Sequence, residues 1–115
     1  MQKIVVIVQE VHRKSELVAC IHQVTGLSVS AILGSFSRGK PLGSWFLFGN
    51  DHGESARILR GLQAIATKGD GAFGYYELQD DEQYDERTLQ SLAISTDTLT
   101  NILEAHDVRR QKIDE

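Results

Sequence analysis

The stretch SELVACIHQVTGLSVSAILGSFSRGK, Ser15 to Lys40, decides the fold, because it carries two apolar stripes separated by a single hinge. Leu17, Val18, Ile21 and Val24 fall at i, i+1, i+4 and i+7. Beyond Thr25-Gly26, Val29, Ile32, Leu33 and Phe36 fall at i, i+3, i+4 and i+7. That period puts each set on one face of a helix. Gly26 can take the left-handed conformation that closes a helix C-terminus, and Leu27 can then fold back on the last turn. Ser15 is expected to cap the first helix and Ser28 the second, which should stop near Arg38-Gly39, before Pro41. Two such stripes need a shared cover.

The flanking segments supply it. Lys3 to Gln9 is apolar and β-branched without helical spacing, the pattern of a buried central strand. Ser44 to Phe48, SWFLF, is short and aromatic and reads as a second strand with both faces partly covered. Asp51, followed three residues later by Glu54, has the form of a capping box. It opens a third helix striped by Ile58, Leu59, Leu62, Ile65 and Ala66 and ended by Lys68-Gly69. Phe73 to Leu78, FGYYEL, is the third strand. Thr88 to Ile94 extends as a strand with Leu92 and Ile94 on one face, or forms a short helix through Leu89 and Leu92; the strand is favoured. Ser95 or Thr96 then caps a last helix carrying Leu99, Ile102, Leu103 and His106, with Arg109 to Glu115 expected to fray. The expected class is α+β: a two-layer β-α-α-β-α-β core with a small antiparallel sheet, plus a C-terminal strand or short helix and a helix. At 115 residues it should be a single domain, 1–115, with its core at 3–79 and an extension at 80–115.

Composition narrows the class further. With 41% apolar and 24% charged residues the chain has ordinary globular chemistry. The longest apolar run, Ile4 to Val8, has no basic region before it and no small-residue cleavage site after it. It reads as neither signal peptide nor span, so a cytoplasmic location is expected. Cys20 is the only cysteine, which excludes an internal disulfide. On the apolar side of the first helix it should pack as a small hydrophobe.

The order of elements, with Val24-Thr25-Gly26-Leu27 at the hinge and Pro41 before the second strand, resembles the C-terminal domain of the bacterial ribosomal stalk protein. That fold is shared with the adaptor that presents substrates to the Clp protease. The resemblance covers Lys3 to Leu78. In the stalk family the first helix and hinge carry lysines and an arginine that contact translation factors. Here Ala19, His22, Ser30 and Leu33 stand at those positions, and only Lys14 keeps the charge. The resemblance therefore implies the fold and not that activity.

No motif points to catalysis. Gly69, Gly71 and Gly74 satisfy G-x-G-x-x-G, but they follow a helix and lead into a strand, the reverse of the order that puts phosphate on a helix N-terminus. The loop Gly49 to Gly53 lacks the Lys-Ser or Lys-Thr pair of a P-loop. His12, His22, His52 and His106 pair with no His or Cys at a zinc spacing, and Cys20 and His22, two apart on a helix, point to different sides. Asp51-His52 lacks a nucleophile elbow, and a small enzyme using His52 or His22 ranks third among the functional readings. No cofactor or metal is expected, and the chain is not expected to be an enzyme.

The most informative polar feature is ELQDDEQYDE, Glu77 to Glu86, with six acidic residues in ten and no basic one. The chain has 12 basic and 16 acidic residues and a net charge of −4, so this run carries the negative field. A solvated hairpin loop would account for it. As a binding edge, Tyr75, Tyr76, Glu77, Asp80, Asp81, Glu82, Tyr84, Asp85 and Glu86 combine anchoring area with steering toward a basic partner. Such a run can occupy the basic groove that a nuclease offers to phosphates. The expected function is thus a non-catalytic inhibitor or immunity protein that neutralises a basic, nuclease-type toxin, with no direct nucleic-acid or membrane contact. The alternative is an adaptor or translation-associated module like the stalk domain.

Overall fold

A computed structural model describes residues 2–36, 40–46, 52–79 and 92–114, with backbone alone at 2, 52, 79 and 106–114. The elements are β1 (Gln2–Val11), α1 (Lys14–Thr25), α2 (Val29–Ser35), β2 (Gly43–Phe46), α3 (His52–Lys68), β3 (Gly71–Gln79), β4 (Ala93–Ile94) and α4 (Thr96–Asp114). The strands form one antiparallel sheet in the order β2-β1-β3-β4. The class is α+β, as the alternation of periods predicts, and Lys3 to Gln9 lies in a central strand.

Pairing fixes which residues share a face. Ile4, Val6 and Val8 stand opposite Glu77, Tyr75 and Phe73, and Ile4 also stands opposite Trp45 of β2. On this face Ile4 and Val6 are fully buried beneath Leu17 and Ile21 of α1, Ile32 of α2, Leu59 and Leu62 of α3, and Leu99 and Leu103 of α4. All four helices therefore cover one side of the sheet. Each fully buried Leu or Ile contributes roughly 1.5–3 kcal/mol of transfer free energy. On the opposite face Val5 and Leu78 form a small second cluster with Ile7, Tyr76 and Leu92 packed against them.

The hinge behaves as its glycine requires. Gly26 has φ +75°, and its N–H donates to the His22 carbonyl at 2.9 Å. The Thr25 hydroxyl donates to the Ile21 carbonyl and accepts from the Leu27 N–H, while His22 Nδ1 lies 2.6 Å from the Leu27 carbonyl. Ser28 caps α2 by accepting from the Ala31 N–H at 3.1 Å.

Several boundaries differ from expectation. Ser15 lies inside α1 and does not cap it: the N-cap is Arg13, with no side-chain bond. The cause is distant in sequence, because the Asp70 carbonyl accepts the N–H groups of both His12 and Arg13 at 3.0 and 3.1 Å and starts the helix earlier. The second helix ends at Ser35, short of Arg38-Gly39, as the Phe36 N–H closes a tight turn on Leu33. β2 runs Gly43–Phe46; Leu47, Phe48 and the Asp51 half of the expected capping box lie outside the described residues. Leu92 and Ile94 do not share a face. Leu92 sits in a helical turn before β4 and joins the outer cluster, whereas Ile94 joins the main core, so strand alternation does not relate them. Ser95 is the cap of α4, its hydroxyl accepting from the Thr98 N–H. That helix continues to Asp114 instead of fraying from Arg109, since the segment holds good helix formers and no glycine or proline.

One close approach is invisible in the periodicity. A Cβ on Gly61 would come within 2.6 Å of Val24 Cγ1, so this glycine sets how tightly α3 lies on α1. Gly61→Ala gains about 1 kcal/mol of helix propensity but loses more to overlap with a stiff β-branched neighbour. It is expected to destabilise by about 1 kcal/mol in urea unfolding, and to be neutral or stabilising when made in a Val24→Ala background.

Candidate interaction site

The residues of the tyrosine-bearing acidic segment do not share one surface. Along β3, Tyr75 and Glu77 project to the helix side while Tyr76 and Leu78 project to the other. Tyr75 is only 4% exposed and belongs to the main core, which removes it from any contact surface. Tyr76 is partly exposed on the outer face, where Gln9 Nε2 donates to its hydroxyl at 3.4 Å. Gln9 lies at the register shift between Val8 and Glu10, and Gly74 lets its side chain cross, since a Cβ there would come within 2.5 Å of Gln9 Nε2. Glu77 is partly exposed near the end of the strand. Asp80, Asp81, Glu82, Tyr84, Asp85 and Glu86 lie outside the described residues. The described residues on either side of 80–91 adjoin the outer cluster through Leu78, 1% exposed, and Leu92.

A second surface lies on the hairpin. Val29 and Leu33, one turn apart on α2, are 49% and 41% exposed, the first at the N-terminus of the helix and the second one turn on.

Two of the four histidines have structural partners. His12 pairs with Glu10 at 3.1 Å, and His22 holds the hinge through Leu27. His52 opens α3 and His106 lies in α4, each described by its backbone alone. Cys20 is half-buried against the core. Gly69, at φ +97°, ends α3, and Gly71 lies so close to the Glu10 carbonyl that a Cβ would come within 2.7 Å of it. The three glycines thus make a helix-to-strand turn. Among the described residues no three His, Cys, Asp or Glu side chains gather as a metal site would require. No helix among them is long and apolar enough to cross a membrane.

Two buried polar groups escape a sequence reading. Asp70 is 1% exposed; among the described residues its Oδ2 has no hydrogen-bond partner, with Lys68 Nζ 4.0 Å away. An aspartate after a glycine is ordinary turn chemistry, so no local pattern marks it as buried. Tyr75 is the second: its hydroxyl is buried without a partner among the described residues. A signal for Tyr75 does exist, because adjacent tyrosines in a strand project to opposite faces and one of them must meet the helices. Beside it lies a cleft of about 310 Å³ between α3, β3 and the head of α4. Gln63 spans that junction, its Nε2 within 2.9 to 3.1 Å of the Thr96 carbonyl and the Thr96 and Thr100 hydroxyls. This amide ties the C-terminal extension to the core. A smaller cavity of about 170 Å³ lies on the outer face beside Val5, Pro41 and Leu78.

No family model, curated protein or solved structure matches this chain.

Burial pushes the Tyr75 phenol up to about 12. Below pH ~10, the ordinary tyrosine value, this group is neutral in folded and unfolded chains and pH has no effect through it. Above that, the unfolded chain ionises first, so stability falls as pH rises toward 12, by on the order of 1–3 kcal/mol. Tyr75→Phe, which removes an unpartnered hydroxyl, should be neutral or up to about 1 kcal/mol more stable at pH 7. It should also lose less stability than the parent between pH 10 and 12, as followed by urea midpoints against pH.

Proposed function

We propose that this chain is a non-catalytic protein-binding domain acting in the cytoplasm, an inhibitor of the immunity type that neutralises a basic, nuclease-like toxin. The observation that carries this reading is where the acidic run is attached. It begins within β3 and lies in the segment that connects β3 to β4, and Leu78 near its start and Leu92 beyond its end pack in one cluster. Anchoring both ends to a rigid sheet lowers the entropy that binding must remove. Tyr76, partly exposed on the outer face with Leu78 and Leu92, extends the surface onto the sheet, and Glu77 stands on the opposite face. Concentrated carboxylates accelerate encounter with a cationic partner and compete with phosphate for its groove. Tyr75 drops out of the contact set.

A second reading, as an adaptor or translation-associated module, is favoured by the exposed Val29-Leu33 pair on α2. An apolar pair on an amphipathic helix suits a partner's groove or helix.

The two readings separate experimentally. Tagged protein is used to capture its partner from native lysate, and the bound protein is identified. For an inhibitor the partner is basic, and association slows as salt rises. Replacing Asp80, Asp81, Glu82, Asp85 and Glu86 together by their amides should lower the association rate at low ionic strength by about tenfold to a hundredfold. Unchanged binding by that variant would reduce the run to a solubilising loop. Recovery of ribosomal material that is lost with Val29→Ser and Leu33→Ser would favour the module.

A further inference from the structure

The edge of the sheet changes character along β3. β4 pairs with β3 only opposite Tyr75 and Tyr76, through Ile94 and Ala93. In that register Ser95 and Thr96 would stand opposite Gly74 and Phe73, but Ser95 caps α4 and the chain turns away into the helix. Among the described residues no strand lies beside Gly71 to Phe73 on the side away from β1. An antiparallel strand directs its N–H and C=O groups alternately to its two sides, so part of this edge has unmet ladder capacity.

The cleft of about 310 Å³ lies along this edge. Ala66 and Thr67 of α3 form its helical wall, Ala72 and Phe73 its strand wall, and Thr96 its end, with Tyr75 beside them. We propose that it is a docking groove for an extended peptide segment of a partner protein, which adds to β3 as a short strand at Gly71 to Phe73. Three features select that occupant. Successive main-chain groups along an edge are matched by another main chain, and a strand facing a helix across a groove is an arrangement that holds peptides in this way. At ~3.3 Å per residue the free edge is roughly 10 Å long, the span of about three residues. Every lining side chain is neutral, and most are small, so the segment should be uncharged with small side chains such as Val, Thr or Ser. The site uses none of the acidic run, so its failure and that of the inhibitor reading are distinguishable.

The test is a titration of the isotope-labelled full chain with an acetylated, amidated Thr-Val-Thr-Val-Thr peptide, followed by amide chemical shifts. Two further peptides carry N-methyl groups on alternate peptide bonds, one set on the odd and the other on the even positions. The expected result is saturable shifts at Gly71, Ala72, Phe73 and Thr67, loss of binding by one N-methylated peptide, and retention by the other. Thr67→Arg, at an exposed position of α3, should keep the circular dichroism spectrum and bind about tenfold more weakly. The proposal is overturned by an absence of saturable shifts, by shifts centred elsewhere, or by equal binding of both N-methylated peptides. Equal saturation by indole, a small neutral molecule with no main chain, would overturn it too. Should Thr67→Arg not fold, the two N-methylated peptides decide alone.

Discussion

The ladder between β1 and β3 is the interaction on which the rest of this structure depends. It runs from Gln2↔Gln79 to Val11↔Gly71, and β1 is paired along its other side by β2 at Lys3 to Val6. With its hydrogen bonds met on both sides, β1 can carry apolar residues on both faces: Ile4 and Val6 toward the helices and Val5 toward the outer cluster. The helices add area to this frame. The Asp70 carbonyl, accepting from His12 and Arg13, ties the start of α1 to the start of β3. Gln63 ties α4 to α3 at the opposite margin of the helical layer.

Sequence pattern revealed the parts that depend on local period and on special backbone conformations. Leu17, Val18 and Ile21, the stripe Ile58 to Ala66, and the glycines at 26 and 69 all do what spacing and φ preference require. The failures share a cause, which is contact between residues far apart in the chain. Ser15 has the right chemistry for a cap, yet α1 starts where Asp70 holds the backbone. Leu92 and Ile94 alternate correctly for a strand, but among the described residues of that segment only Ala93 and Ile94 pair with β3. Tyr75 stands beside six carboxylates in the sequence, and proximity along the chain assigns it to their surface. Register with Val6 instead turns it under the helices. Gly61 and Gln63 sit in an ordinary helical pattern, and their roles come from α1 and α4.

This geometry separates two kinds of surface. The acidic run is attached beyond Gln79, at one end of the β1–β3 ladder, whereas the neutral cleft beside Gly71 to Phe73 lies near the other. Long-range attraction belongs to the first, and short-range main-chain complementarity to the second. The Val29-Leu33 pair is a third region, on a helix whose buried side is Ile32. Such different surfaces can be presented together because all of them rest on one sheet whose register is fixed at both faces.

Native-state hydrogen exchange tests this dependence most directly. If the ladder carries the fold, the amides that bond β1 to β3, from Ile4 to Val8 and from Phe73 to Leu78, exchange only through global unfolding. Those of α4 beyond Leu103 exchange through smaller local openings. Amides of β1 that open at lower free energy than the end of α4 would contradict the account, because the sheet would then depend on the helices and not the helices on the sheet.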